Sequence, residues 1–241
     1  MGVTINCDMG EGFGLYRCGD DAGIMPHIHI ANVACGFHAS DPSVMRATVR
    51  LAAEHGVAVG AHPSFPDLQG FGRREMQMGR EELSACILYQ IGALKAFLDE
   101  AGLALNHIKP HGALYGAATR NEHVAHAIAD AAEIFGVPLL GMAGTLQETV
   151  YGQRNIPFIA EYYADLDYDA EGKLIITRQH DAKDAGEAAR RVVKVMTEGK
   201  ATTIGGGEVP MRAETVCIHS DTPGADQLAR AVHEALRPWL A

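Results

Sequence analysis

Short apolar runs of four or five residues alternate along this chain with longer stretches at helical spacing. Val3 to Cys7, His29 to Val33, Val57 to Ala61, Leu105 to Lys109, Val137 to Gly141, Pro157 to Glu161 and Thr215 to Ile218 read as buried strands. Between them lie helices with recognisable ends. Asp41-Pro42 supplies an N-cap acceptor and then a proline at the first helical position, and Gly56 ends that helix after about His55. Glu81-Glu82 opens a second helix to about Gly102, with Leu83, Ile87, Ile91, Leu94 and Leu98 on one face. Asn121 caps a third to about Phe135, before Gly136. A short helix starts near Thr145, Asp184 caps one to about Glu198, and the last runs from Ala225 to about Leu236. Asp169 to Gly172 reads as a turn, and residues 202–213 as a hairpin around the glycines 205–207.

Seven strands alternating with helices predict a parallel sheet. No linker or repeat divides the chain, so one domain over residues 1–241 is expected. The best fit is a seven-stranded, distorted TIM-like β/α barrel, with an open doubly wound sheet as the alternative that periodicity leaves standing. Composition narrows the partners. With 241 residues, 47% of them apolar, the chain can bury a full core. A net charge of -10 argues against nucleic acid, which needs a basic face. No apolar run approaches ~20 residues, so no membrane span is expected. The N-terminus lacks the pattern of a signal peptide, and Asn6 stands where myristoylation needs Ser or Thr. Five cysteines without CxxC spacing suit reduced thiols in the cytoplasm.

Polar residues gather where the strands end: Asp8 and Glu11, His38, His62, Lys109 and His111, Glu161 and Asp165, His219 and Asp221. In a parallel barrel these ends share one face, where such folds place their active sites. One histidine at a strand end suits a core role, but four with carboxylates and a lysine point to an active site. The stretch Gly56 to Arg74 is the clearest case. It is an apolar strand broken at His62-Pro63, then an irregular loop rich in Gly, Pro and aromatics that ends in Arg73-Arg74. Lys109, at the end of an apolar strand, needs a partner if buried and can polarise a carbonyl or hold a carboxylate. His111 can act as acid or base near neutral pH. Three histidines plus Asp8 are enough donors for zinc in a deacetylase-like arrangement, although no HExxH occurs. Cys35 beside His38 suits a buried, inert thiol better than a nucleophile, and Cys7 and Cys217 read as core. The triple glycine is followed by Glu208-Val209, and no GxxxxGK[ST] phosphate loop occurs. His123 and His126 read as part of a solvated helix face.

The segments INCDMGEGFG, ANVACGFHASD, VGAHPSFPDLQGFGRR, IKPHGALYGAA and CIHSDTPGA, in order from Asn6 to about Ala225, closely resemble the signatures of the LamB/YcsF family. The resemblance implies a seven-stranded, deacetylase-like distorted barrel. It also implies the role of the A subunit in an ATP-dependent 5-oxoprolinase, a cyclic-amide hydrolase that opens 5-oxo-L-proline to L-glutamate together with partner subunits B and C. Carried over by motif, Asp8, Glu11, His38, His62, Lys109 and His111 are the expected catalytic residues. Asp41, Asp67, Arg73, Glu161, Asp165, His219 and Asp221 are the expected substrate-binding set. ATP is the expected cofactor, used at the partner subunits, and a divalent metal and a homo-oligomer are left open. Two positions depart from the pattern. Leu166 stands where the family reads arginine, and Ser220 where it reads glycine. A paralogue acting on another lactam, a metal-dependent amide or carbohydrate deacetylase, and a non-catalytic subunit that binds an amino-acid derivative are the alternatives.

Overall fold

The computed structural model describes residues 2–177 and 180–240. Seven parallel strands close into a barrel: β1 (Thr4–Met9), β2 (Ile30–Ala34), β3 (Ala58–His62), β4 (Leu105–Ile108), β5 (Leu139–Gly141), β6 (Phe158–Tyr163) and β9 (Thr215–His219). The last strand, β9, pairs with both β6 and β1, which seals the sheet and leaves no edge. The expected seven strands are therefore present and the doubly wound alternative is excluded. The predicted hairpin is β7 (Lys200–Thr202) against β8 (Glu208–Pro210), an antiparallel pair outside the barrel.

The outer helices form where caps and periodicity place them. The helix α2 (Pro42–His55) starts on Asp41, whose side chain accepts from the Ser43 and Val44 N–H groups, and ends on Gly56 in the left-handed region. The helix α3 (Arg80–Ala101) buries Leu83, Ile87, Ile91, Leu94 and Leu98, all five of the predicted face. Helices α5 (Glu122–Phe135), α6 (Leu146–Gln153), α7 (Ala185–Glu198) and α8 (Ala225–Leu236) also match their expected spans. Two further helices, α1 (Asp21–Ile24) and α4 (Gly112–Ala118), lie outside the predicted set. Gly and Ala make up five of the seven residues of α4, and His111 gives it no side-chain cap, so it carries none of the usual start signals.

Several barrel strands run one or two residues beyond their predicted ends. Asp8, His62, Tyr163 and His219 are strand residues rather than the loops after strands. The reason is an unusual interior. Alternate residues point into a barrel, and here the inward positions include Asn6, Asp8, Asn32, His62, His107, Lys109, Glu161 and Thr215. All of them are buried. Such positions in TIM barrels are dominated by branched aliphatic residues. In this chain they form hydrogen-bonded layers. Asn6 Nδ2 donates to Thr215 Oγ1 at 3.0 Å, and Asn32 Nδ2 donates to Asn6 Oδ1 and Asp8 Oδ1, both at 2.8 Å. His107 Nε2 sits 2.6 Å from Asn32 Oδ1 and completes the chain.

The imidazole of His107 fits because β3 has no side chain at Gly60, where the β3–β4 register shifts. A Cβ added at Gly60 would lie 2.2 Å from His107 Cε1. We expect Gly60→Ala to destabilise the protein by roughly 1–3 kcal/mol, the usual cost of overpacking a filled core. Urea unfolding followed by far-UV circular dichroism measures it, and an unchanged midpoint would contradict this packing.

Candidate active site

The C-terminal ends of the strands and the loops that follow them bring most of the sequence candidates together. At the centre is Lys109, 1% exposed. Its ammonium lies 2.9 Å from Asp8 Oδ1, 2.9 Å from Glu161 Oε1 and 2.9 Å from Cys217 Sγ, with the Tyr163 ring 5.1 Å from the charge. Burial disfavours the ammonium, but Asp8, the Cys217 sulfur and Glu161 outweigh it and hold Lys109 well above its ordinary value. Asp8 is the counterpart. Burial raises it, yet His62 and Lys109 bring it well below the usual carboxylate range. Both of its oxygens are engaged: Oδ1 by Lys109 and Asn32, and Oδ2 by His62 Nε2 at 3.1 Å.

Three histidines pack beside this pair. His62 Nδ1 donates to the Lys109 carbonyl at 2.8 Å, and His111 Nε2 donates to the Phe71 carbonyl at 2.8 Å. His111 Nδ1 then faces His62 Nε2 at 3.0 Å. His38 stacks on His111, with ring centres 3.7 Å apart and planes 6° apart. Its Nε2 lies 3.0 Å from Glu11 Oε1. Burial drives both His38 and His111 well below the ordinary histidine value, reinforced by the neighbouring imidazoles, so both are neutral. Burial, then Asp221 and Asp8, push Glu11 well above its usual range. The loop over these rings is shaped by Phe71, whose φ of 55° is rare for a side chain of its size, followed by Gly72 at 63°. A side chain at Gly72 would meet both His111 and His38.

On the other side of Asp8 lies a second ion pair. Asp165 accepts from the His219 backbone N–H at 2.9 Å, and its Oδ1 is 3.0 Å from His219 Nδ1. His219 Nε2 therefore points toward Asp8 Oδ2, 3.6 Å away. Burial opposes a charge on His219, but Asp165 and then Asp8 raise it above its ordinary value, so it carries a proton to higher pH than a free histidine. Arg73 Nη1 pairs with Asp221 Oδ2 at 2.8 Å, and His180 Nδ1 lies 3.0 Å from Asp221 Oδ1.

Asp8, His62, Lys109, His111 and His219 line a cavity of about 20 Å³, walled by Tyr115, Tyr163, Leu166, Leu174 and Ile176. Arg73, Tyr115, Leu174 and Ile176 also line a groove of about 800 Å³, which reaches Gly144 and Thr145 before α6. Two expected substrate contacts lie elsewhere. Asp41 is a helix cap whose other oxygen takes the Gly14 N–H at 2.7 Å. Asp67 shapes its own loop by accepting from Gly70 N–H and holding Arg74. Asn6, Asn32, His107 and His180 are site residues that the sequence pattern does not reveal. A strand reading that seeks apolar inward positions passes over the first three. His180 sits in a stretch with no periodic signal.

The composition of this site and the closed barrel agree with the comparisons. The sequence pattern of the LamB/YcsF family matches residues 3–238. A Thermus thermophilus protein named as the A subunit of 5-oxoprolinase is 48% identical over 240 residues, covering 98% of this chain and 96% of that one. A lactam utilization protein, lamB, of Emericella nidulans is 43% identical, covering 97% and 94%. The crystal structure of a lactam utilization protein from Thermus thermophilus superposes with a TM-score of 0.91 at 47% identity, over 99% of this chain and 97% of that one. The chain belongs to the LamB/YcsF family.

Proposed function

We propose that this chain is the ring-opening subunit of an ATP-dependent 5-oxoprolinase, acting as one barrel domain with two partner subunits, B and C. The observation that carries the reading is His219 Nε2 facing Asp8 Oδ2 at 3.6 Å across one cavity, in a chain whose relatives at 43–48% identity are named for this activity or for lactam utilization. No phosphate loop of the GxxxxGK[ST] type occurs in the sequence, so ATP is used at the partners. Five free cysteines suit a cytoplasmic setting. No helix among the described residues is long and apolar enough to cross a membrane. For a divalent metal the described residues offer donors around Glu11, His38, His62 and His111, around Asp8, Cys217 and His219, and around Asp165, His180 and His219.

A five-membered lactam is an unreactive amide, and phosphorylation of its oxygen activates it. Water then adds to the ring carbon and gives one proton to Asp8. The resulting carbon carries hydroxyl, phosphate and ring nitrogen together. Expulsion of phosphate would merely regenerate the lactam. The productive route breaks the C–N bond, and this requires a proton delivered to nitrogen. His219 Nε2 is the acid for that step, held charged by Asp165. The product is an acyl phosphate, which a second water converts to glutamate and phosphate. Lys109 fixes the Asp8 carboxylate and keeps it ionised. Arg73, shared by the cavity and the groove, is placed to meet the substrate carboxylate. Leu166 on the cavity wall favours a second reading, a paralogue taking a different lactam, and a lactam screen separates the two.

Glutamate release from 5-oxoproline and ATP, with the B and C subunits from the same source, tests the reading directly. Formation only with all three supports it, and none with competent partners removes it. Lys109→Met in that assay should lower kcat more than ~100-fold. It should also destabilise the fold by roughly 3–5 kcal/mol, because Asp8 and Glu161 lose their buried counter-charge. With His219 as acid, kcat falls on the alkaline side as pH rises through its raised value. In Asp165→Asn that limb should move to lower pH, since the group that raises His219 is gone. A limb that stays in place would take His219 out of the acid role.

A further inference from the structure

Behind Asp8, four side chains that the ring-opening steps do not use, Glu11, His38, His62 and His111, each bring one donor atom within 4.8 Å of the others. Hydrogen bonds decide which nitrogens carry protons. His62 commits Nδ1–H to the Lys109 carbonyl, and His111 commits Nε2–H to the Phe71 carbonyl. With one proton on each ring, the second nitrogen of His111 is a bare lone pair, and so is that of His62 except where it keeps a proton for Asp8 Oδ2, 3.1 Å away. The two second nitrogens face each other at 3.0 Å, with Glu11 Oε1 3.5 Å from His111 Nδ1. Lone pairs at that separation repel unless something positive joins them.

A proton on His62 Nε2 would serve His111 or Asp8, but it does nothing for Glu11. The Glu11 Oε2 atom is buried without a hydrogen-bond partner, and so is His38 Nδ1. A divalent cation accounts for the convergence as a whole. Metal–ligand bonds of about 2.0–2.2 Å in a tetrahedral site separate donors by about 3.4 Å. The observed edges of 3.0 and 3.5 Å bracket that value. His38 is not a ligand, because its ring lies parallel to His111 and the two in-plane lone pairs cannot meet at one point. Its Nε2–H instead donates to Glu11 Oε1 at 3.0 Å, an outer contact that orients a ligating carboxylate. Asp8 Oδ2 lies 3.1 Å from His62 Nε2 at the rim of the group, while Lys109 and Asn32 hold its Oδ1, so Asp8 faces the fourth position rather than joining the three ligands.

We propose that Glu11, His62 and His111 bind one divalent transition-metal ion, zinc by donor type, whose fourth position opens toward Asp8 and the cavity. Two imidazoles and a carboxylate with an open position are a donor set of catalytic zinc sites. A metal there would polarise the activated carbonyl or lower the pKa of a bound water beside Asp8. That role rests on the ring-opening reading, whereas the ligand set rests on geometry alone.

The test uses the full chain by itself, without substrate, ATP or partners. After chelator treatment and dialysis, zinc is titrated by calorimetry, bound metal is counted by mass spectrometry, and Co²⁺ is added as a visible probe. We expect one zinc per chain and a tetrahedral Co²⁺ spectrum. Glu11→Gln and His111→Phe should each weaken binding ~100-fold or more while retaining the native circular dichroism. His38→Gln, which removes only the outer contact, should weaken it roughly 10-fold. If Glu11→Gln does not fold, His38→Gln and the Co²⁺ spectrum of the native chain decide. No stoichiometric zinc on the folded chain would overturn the site, and so would zinc binding unchanged in Glu11→Gln. Glutamate release that proceeds normally in metal-free protein would remove the metal's role and leave the ring-opening reading intact.

Discussion

Moving the Lys109 ammonium from water into the barrel costs several kcal/mol, and the same holds for the two carboxylates beside it. The site exists only because these costs are met together. Asp8 and Glu161 each sit 2.9 Å from the same nitrogen, from strands on different parts of the barrel wall, while Asn32 and His62 take the remaining valences of Asp8. No single strand provides this arrangement. Closure of β9 onto both β6 and β1 brings Glu161 and Cys217 to the lysine, so the electrostatic centre and the barrel seam depend on each other. Loss of one partner leaves an uncompensated buried charge, which is far worse than never having buried the group.

The polar layers beneath are what keep that centre fixed. An interior of branched aliphatics would tolerate small shifts, because dispersion contacts are not directional. A chain of hydrogen bonds from Thr215 through Asn6 and Asn32 to His107 does not, since each member loses a partner when its neighbour moves. Asp8 therefore keeps its position relative to His219 on one side and His62 on the other. The two sides differ in charge state for a physical reason. Beside Asp165, His219 is favoured as a cation. Buried, and packed among other imidazoles, His38 and His111 are not. One aspartate thus lies between a histidine favoured as a cation and a cluster of buried imidazoles.

The fold is readable in the sequence wherever local chemistry announces an element. Asp41-Pro42 and Gly56 bracket α2 as their capping roles require, and the spaced leucines and isoleucines of α3 are buried on one face. Legibility fails at α4, whose glycine and alanines carry no start signal, and at the strand ends. There the pattern assigns Asp8, His62 and His219 to the loops after strands, although they belong to the strands themselves. A reading built on an apolar interior stops these strands just before Asp8, His62 and His219, and this barrel has a polar interior. His107 shows the cost of that assumption most clearly. It lies between Asn106 and Ile108 in a run that reads as apolar, and only the missing side chain at Gly60, a strand away, makes room for it. At Asp41 and Asp67 local roles account for the side chains. Motif proximity suggests substrate contacts, but their oxygens are already committed to backbone N–H groups and Arg74.

The two departures from the family pattern do not carry equal weight. Ser220 is buried and packs against Gly19, where an added Cβ would lie 2.6 Å from the Ser220 carbonyl oxygen. It is not among the residues that line the cavity, so its effect is on the loop before α1. Leu166 does line the cavity. Its carbonyl accepts from Arg191 Nη2 at 2.6 Å, and Arg191 also pairs with Asp167. The loop thus keeps a guanidinium on its backbone while presenting an apolar side chain inward. A lactam ring has a hydrocarbon edge as well as a polar one. Arg73, paired with Asp221, and Leu166 both line the cavity, one a cation and the other apolar. An arginine at that position would have favoured a second anionic group on the ligand, which a leucine does not. The substitution therefore gives the cavity an apolar wall at Leu166 where the family pattern has a cation.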